Sequence, residues 1–196
     1  MGLLLILSAP SGAGKLTLLR EVRKEHPALC TTISATTRQP RPGEVDGRDY
    51  YYLTREEFES RRACSEFLEW AEVHGNLYGT LREELQRCLE RNSIVVLELD
   101  VQGMRSMRAE FPEAVTVFIM PPSIEELERR LRGRGDKDER DIALRLSNAQ
   151  LEIEAAKEFG YIVINDEVKR AARDLGAILT AEACRAHRVL LLTQEG

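Results

Sequence analysis

The sequence predicts an α/β protein: a parallel sheet with helices on both faces. Three observations carry that expectation. Short, almost wholly apolar runs recur at Leu3–Ser8, Ile94–Leu99, Ala114–Met120 and Tyr161–Ile164. Strands buried on both faces read this way, whereas a strand with one wet face alternates. Between and after these runs lie stripes at helical spacing, Ile142, Leu146, Ala149 and Ile153 in one segment and Val168, Ala171, Ala172, Leu175, Ile178 and Leu179 in another. The first apolar run also feeds straight into a glycine-rich turn and then Leu16, Leu18, Leu19 and Val22, the order strand, loop, helix.

Further elements follow from local signals. Thr54-Arg-Glu-Glu57 and Ser123-Ile-Glu-Glu126 are capping boxes that open helices, the second directly after Pro121-Pro122 stops a strand. Thr80-Leu-Arg-Glu83 has the same pattern. Residues 34–53, rich in Thr, Pro, Arg and Gly, and residues 67–80, with aromatic and polar residues around Gly75 and Gly79, break the α/β rhythm and read as a small β-rich insertion. The stretch 129–141, RRLRGRGDKDERD, is too charged for a core and reads as a mobile basic flap. No repeat or linker divides the chain, so residues 1–196 are expected to form a single domain.

Composition narrows the function. The chain has 196 residues, 43% hydrophobic and 31% charged, with a net charge of −5. A chain of that length buries roughly 70% of its unfolded surface and needs no staples. Its net charge argues against a general affinity for nucleic acid, so a small anionic substrate needs local clusters of Arg and Lys. Leu3–Leu7 is far too short to span a membrane and lacks a basic flank, so neither a span nor a secretory leader is expected. Cys30, Cys64, Cys88 and Cys184 have no zinc-like spacing and read as buried or incidental thiols of a cytoplasmic protein. His26, His74 and His187 have no partner spacing that suggests catalysis.

Residues 9–17 read APSGAGKLT. A strand, a glycine-rich turn and a helix are the setting of a P-loop, in which backbone N–H groups of the turn and helix N-terminus bind phosphate oxygens. Ser11, Gly12, Ala13, Gly14, Lys15, Leu16 and Thr17 are the candidate phosphate-binding residues. The strict pattern fails twice, with Ala9 at the first glycine and Leu16 where Ser or Thr normally reaches Mg²⁺. A glycine-rich turn with a surface lysine is the plainer alternative.

Five segments extend the signal: SATTRQPRPGEVDGRDY (34–50), EFLEWAEVHGNLYGT (66–80), LELDVQG (97–103), PPSIEELERRLRGRG (121–135) and VIND (163–166). In this order they resemble the guanylate kinases, which make GDP from GMP and ATP, and the resemblance runs from about Leu3 to Leu175. It implies a P-loop parallel sheet core with helices on both faces, a GMP-binding insertion at 34–81 and a helical lid at 124–150. It implies ATP and GMP as substrates and Mg²⁺ with ATP. Neither nucleic acid nor membrane is expected as a partner, and monomer and homodimer both remain open.

The resemblance also assigns residues. Glu69 matches the carboxylate that accepts the N1–H and 2-amino donors of guanine, with Ser34 and Thr80 as hydroxyls around the base. Arg38 and Arg41 match the arginines on the GMP phosphate, a dianion that suits forked donors, and Tyr50 and Tyr78 match its hydroxyl contacts. Asp100 ends an apolar strand at the edge where α/β sheets bind ligands. It matches the acid near Mg²⁺ and the GMP phosphate, and an N-cap is its plainer role. No residue is assured as a direct metal ligand, and Mg²⁺ is expected near Asp100 through water. Lys15, Arg130, Arg134 and Arg145 match the cations that act on the transferring phosphate, and Asn165 matches a residue near adenine. Leu16 is expected to weaken Mg²⁺ handling. The alternative reading is a non-catalytic guanylate-kinase-like module that uses the same cleft to bind a protein, although such modules typically lose the loop lysine and lid arginines.

Overall fold

A computed structural model describes residues 2–73, 75–91, 94–133 and 139–189. The chain runs β1 (Leu3–Ser8), α1 (Lys15–Glu25), β2 (Leu29–Thr31), β3 (Ala35–Thr36), β4 (Tyr51–Tyr52), α2 (Arg55–Ala63), β5 (Phe67–Val73), β6 (Asn76–Leu81) and α3 (Arg82–Arg91). It continues through β7 (Ile94–Glu98), α4 (Val101–Glu110), β8 (Val115–Met120), α5 (Ile124–Gly133), α6 (Glu139–Glu154), β9 (Tyr161–Ile164) and α7 (Val168–Ala183).

The main sheet has five parallel strands in the order β2-β7-β1-β8-β9. Its central strand, β1, is buried on both faces, and its side chains sort by parity as a pleated strand requires. Leu3, Leu5 and Leu7 pack with Leu18, Leu19 and Val22 of α1 and with Ala171, Leu175 and Leu179 of α7. Leu4 and Ile6 pack on the other face with Leu85 of α3, Met104 and Met107 of α4, and Phe118. This is the doubly covered parallel sheet that the apolar runs imply. The edge strand β2 has only three residues, Leu29-Cys30-Thr31, and no apolar run announces it.

The insertion between β2 and α3 forms its own sheet, ordered β4-β3-β6-β5, with α2 against it. Phe58 and Phe67 stack at 4.2 Å between ring centroids, and with Ala35, Leu77 and Leu81 they form a separate small core. Thr54 makes the full capping box with Glu57 at the start of α2. The other two boxes resolve differently. Ser123 Oγ accepts the Glu126 N–H at 3.2 Å, but the Glu126 carboxylate turns to Arg129 and Arg130 instead of closing the box. Thr80 lies within β6 and does not cap α3, and its hydroxyl donates to Glu69 across the strand pair.

Helices α5 and α6 pack through Leu127, Leu131 and Ala149. The charged stretch at 129–141 is thus helical at 129–133 and 139–141, while Arg134 to Asp138 lie outside the described residues, as do His74 and the end of the tail from Leu190. Among the described residues no helix is long and apolar enough to cross a membrane.

Candidate active site

The loop between β1 and α1 is shaped by its glycines. Gly12 (φ 91°) and Gly14 (φ 89°) both adopt the left-handed conformation that disfavours side chains. A Cβ on Gly14 would lie 2.7 Å from Asn165 Nδ2, so the space behind the loop is already taken. Asn165 Nδ2 donates to the Ala13 carbonyl at 2.7 Å. Arg130 Nη1 donates to the same carbonyl at 3.4 Å, and its Nη2 donates to the Asn165 carbonyl at 3.0 Å. Glu126 anchors the same guanidinium at 2.7 Å, and its bonds to Arg129 and then Arg130 hold its carboxyl down at about 2. Arg130 thus joins α5 to the back of the loop. Asn165 is almost fully buried, and its Oδ1 has no hydrogen-bond partner.

In front of the loop, Lys15 Nζ pairs with Glu98 Oε2. Both border a cavity of about 740 Å³ that also holds Leu16, Ser34, Arg38, Tyr50 and Tyr78. Leu16 is 61% exposed there, so it belongs to the cleft and not to the core. Ser11 is exposed on the loop, and Thr17 is exposed in the first turn of α1.

The opposite wall comes from the insertion. Arg38 is held by Glu44, whose two oxygens each accept from Nη2 at 3.0 Å. Its guanidinium lies 5.3 Å from the Tyr50 ring centroid, and Tyr50 meets Tyr78 edge to face at 6.1 Å. Glu44 also accepts from the Arg41 backbone N–H and the Tyr52 hydroxyl, and these bonds, the Arg38 bond foremost, hold its carboxyl at about 2. Glu44 is a positioning residue that sequence reasoning missed. Its available signal was a carboxylate within an arginine-rich turn.

Glu69 and Thr80 are register partners on β5 and β6, and the Thr80 hydroxyl donates to Glu69 Oε1 at 2.8 Å. Burial pushes the Glu69 carboxyl above its usual range, opposed by the Thr80 bond and reinforced by the charge of Asp100. Glu69 and Asp100 line a second cavity, of about 440 Å³, together with Gln102 and Ser106. Asp100 does cap α4, accepting the Gly103 N–H at 2.7 Å. Arg145, by contrast, pairs with Asp141 along α6 at 2.9 Å and does not line this cleft.

At the base of the insertion lies buried Glu84 on α3. It accepts the Ile33 N–H at 3.1 Å and the Tyr51 hydroxyl at 2.9 Å, and it pairs with Arg87. A glutamate on an amphipathic helix gives no sequence sign of such a role.

A five-stranded parallel sheet whose central strand runs into a glycine loop and helix, with an arginine-bearing helix closing behind the loop, defines a P-loop kinase. The shikimate kinase of Bacteroides thetaiotaomicron shares this fold, with a TM-score of 0.52 at 17% identity over 91% of this chain and 98% of that one. The family model described as guanylate kinase matches residues 1–182, and the chain belongs to the guanylate kinase family. It is 47% identical to the guanylate kinase of Carboxydothermus hydrogenoformans over 96% of this chain and 92% of that protein. It is 50% identical to the guanylate kinase of Synechococcus elongatus over 91% of this chain and 98% of that protein. The crystal structure of guanylate kinase from Anaplasma phagocytophilum aligns with a TM-score of 0.74 at 34% identity, covering 95% of this chain and 89% of that one.

Proposed function

We propose that the protein transfers the γ-phosphoryl group of ATP to GMP, giving ADP and GDP, and that the insertion 34–81 holds GMP while residues 124–150 act as the lid. One observation carries the reading: the loop lysine Lys15 and the Arg38, Tyr50 and Tyr78 cluster face one cavity of about 740 Å³. Two phosphate-binding walls across one space suit two nucleotides meeting end to end.

Each residue has a task in this reading. Glu69 accepts the N1–H and 2-amino protons of guanine, oriented by Thr80, and Ser34 adds a hydroxyl near the base. Arg38, Arg41, Tyr50 and Tyr78 hold the GMP phosphate, with Arg38 pre-set by Glu44. The backbone N–H groups of residues 11–17 and the Lys15 ammonium hold the ATP phosphates, and Asn165 lies on the adenine side. A GMP phosphate oxygen attacks the γ-phosphorus as the bond to the β-phosphate oxygen breaks. Lys15 and Arg134 stabilise the charge on the moving group, Arg145 joins them only when the lid has closed, and that closure keeps water out. Arg130 holds the lid helix to the loop in the open form and reaches the phosphates only after it lets go of the Ala13 carbonyl.

The family's nucleotide chemistry runs with Mg²⁺ on ATP, and the site's donors suit that ion. Glu98 and Asp100 offer hard carboxylate oxygens, and Mg²⁺ commonly keeps water and phosphate oxygens as its remaining ligands. When bound it neutralises phosphate charge. Asp100 is the residue to hold it through water, and Leu16 supplies no oxygen. The non-catalytic reading is not favoured, because Lys15 and Arg130 are both retained.

A steady-state assay with ATP and each nucleoside monophosphate tests the proposal. GDP formation should exceed turnover of AMP, CMP or UMP by roughly 100-fold or more. GMP binding without turnover would instead favour the non-catalytic module.

A further inference from the structure

Cys30 and Cys88 are 58 residues apart in sequence, yet their sulfurs lie 3.4 Å apart. Cys30 sits half-buried on the edge strand β2, and Cys88 is buried on α3. These are the two elements between which the insertion leaves and re-enters the core. Cys64 and Cys184 are exposed on other elements. Glu84, one turn before Cys88, ties this base to the insertion through Ile33 and Tyr51, and its Oε1 lies 3.5 Å from Cys88 Sγ.

We propose that Cys30 and Cys88 form an oxidative modification site that a peroxide converts to a disulfide, clamping the base of the insertion and weakening GMP binding. The Cys30 thiolate attacks the peroxide, its O–O bond breaks, and a sulfenic acid and hydroxide result. The Cys88 sulfur then attacks the sulfenic sulfur, the S–O bond breaks, and the Cys88 proton passes by way of Glu84 to the departing oxygen, which leaves as water. In sum two thiols and one hydrogen peroxide give one disulfide and two waters. Cys30 reacts first because it is the more exposed, whereas burial pushes the Cys88 thiol well above its usual range.

The bond changes the geometry around it. A disulfide needs about 2.05 Å between sulfurs, so the 3.4 Å separation closes by about 1.3 Å. That draws α3 toward β2 and moves Glu84 against Ile33, the residue before Ser34. The effect on GMP rests on the proposed GMP site, whereas bond formation does not.

The test uses the full chain carrying Cys64→Ser and Cys184→Ser, treated with hydrogen peroxide, alkylated, digested with trypsin and weighed. The expected product joins peptide 25–38 to peptide 88–91 with the loss of two hydrogens, and dithiothreitol reverses it. Oxidised protein should show a GMP KM raised roughly threefold or more with ATP KM unchanged, since displacements of about 1 Å near a site are costly. Adding Cys30→Ser, a half-buried position, should abolish both the linked peptide and the KM change. Recovery of Cys30 and Cys88 as separately alkylated peptides overturns the site. A linked peptide with unaltered GMP KM overturns the coupling to the insertion.

Discussion

Lys15 Nζ, on the first residue of α1, and Glu98 Oε2, on the last residue of β7, are 3.2 Å apart, with 25% and 29% of their side chains exposed. Without nucleotide, the loop lysine is therefore neither loose nor buried. Such a partly exposed pair is worth at most about 1 kcal/mol, so under the proposed function an ATP phosphate should displace Glu98 at little cost.

Lys15→Ala should lower kcat by roughly 100-fold or more, the scale of losing a donor to developing charge, while GMP KM changes little. Steady-state kinetics with both substrates varied would check it. A GMP KM that rises in step with the fall in kcat would move the lysine to the GMP phosphate.

Glu69→Gln should raise GMP KM by about 10- to 100-fold and leave ATP KM unchanged. The new amide presents a donor where guanine also donates, a mismatch of about 1–3 kcal/mol. An equal rise in both constants would remove Glu69 from base reading.

The same substitution should stabilise the ligand-free protein. Burial raises the folded-state pKa of Glu69 above its unfolded value, so the folded form binds its proton more tightly. Stability from this group therefore falls as pH rises from the ordinary glutamate range through the raised value, and the charged form is a cost at neutral pH. Thermal melts at pH 7 should show a higher Tm for Glu69→Gln, and the wild-type GMP KM should climb as pH drops through the raised pKa. A lower Tm would mean that the Thr80 hydrogen bond outweighs burial.

Leu16→Ser replaces a side chain that is 61% exposed in the cleft, so its effect on stability should stay within about 0.5 kcal/mol. With an oxygen ligand added, the Mg²⁺ concentration for half-maximal rate should fall and kcat should rise, with GMP KM nearly constant. Unchanged Mg²⁺ dependence in a normally folded variant would mean that water and nucleotide oxygens already complete the metal's surroundings.

What the sequence made legible was periodicity and local chemistry. Leu3 to Leu7 declared a doubly buried strand, and Thr54 with Glu57 declared a helix start, because each depends on neighbours in the chain. What it concealed depends on distant partners. Leu29-Cys30-Thr31 is too short and mixed to announce a strand until β7 pairs with it. Thr80 has the local pattern of a cap, yet Glu69 across the sheet takes its hydroxyl. Glu84 and Glu44 look like solvated carboxylates until Ile33 and Arg38 are brought against them. Arg130 was legible as important, but its bonds to Ala13 and Asn165 join segments more than 100 and about 35 residues away.

The central place of β1 has a consequence for biosynthesis. This strand leaves the ribosome before every other strand of its sheet, yet its first neighbour begins at Ile94, paired with Leu3. At about 5–20 residues per second, the Leu3–Leu7 run waits on the order of 5 to 20 s for β7, with its backbone unpaired and its leucines uncovered. The insertion, whose strands pair only with one another, completes its own sheet with Leu81 during that interval. The insertion thus completes its own sheet and small core while the Leu3–Leu7 run of the main sheet still lacks both of its strand neighbours.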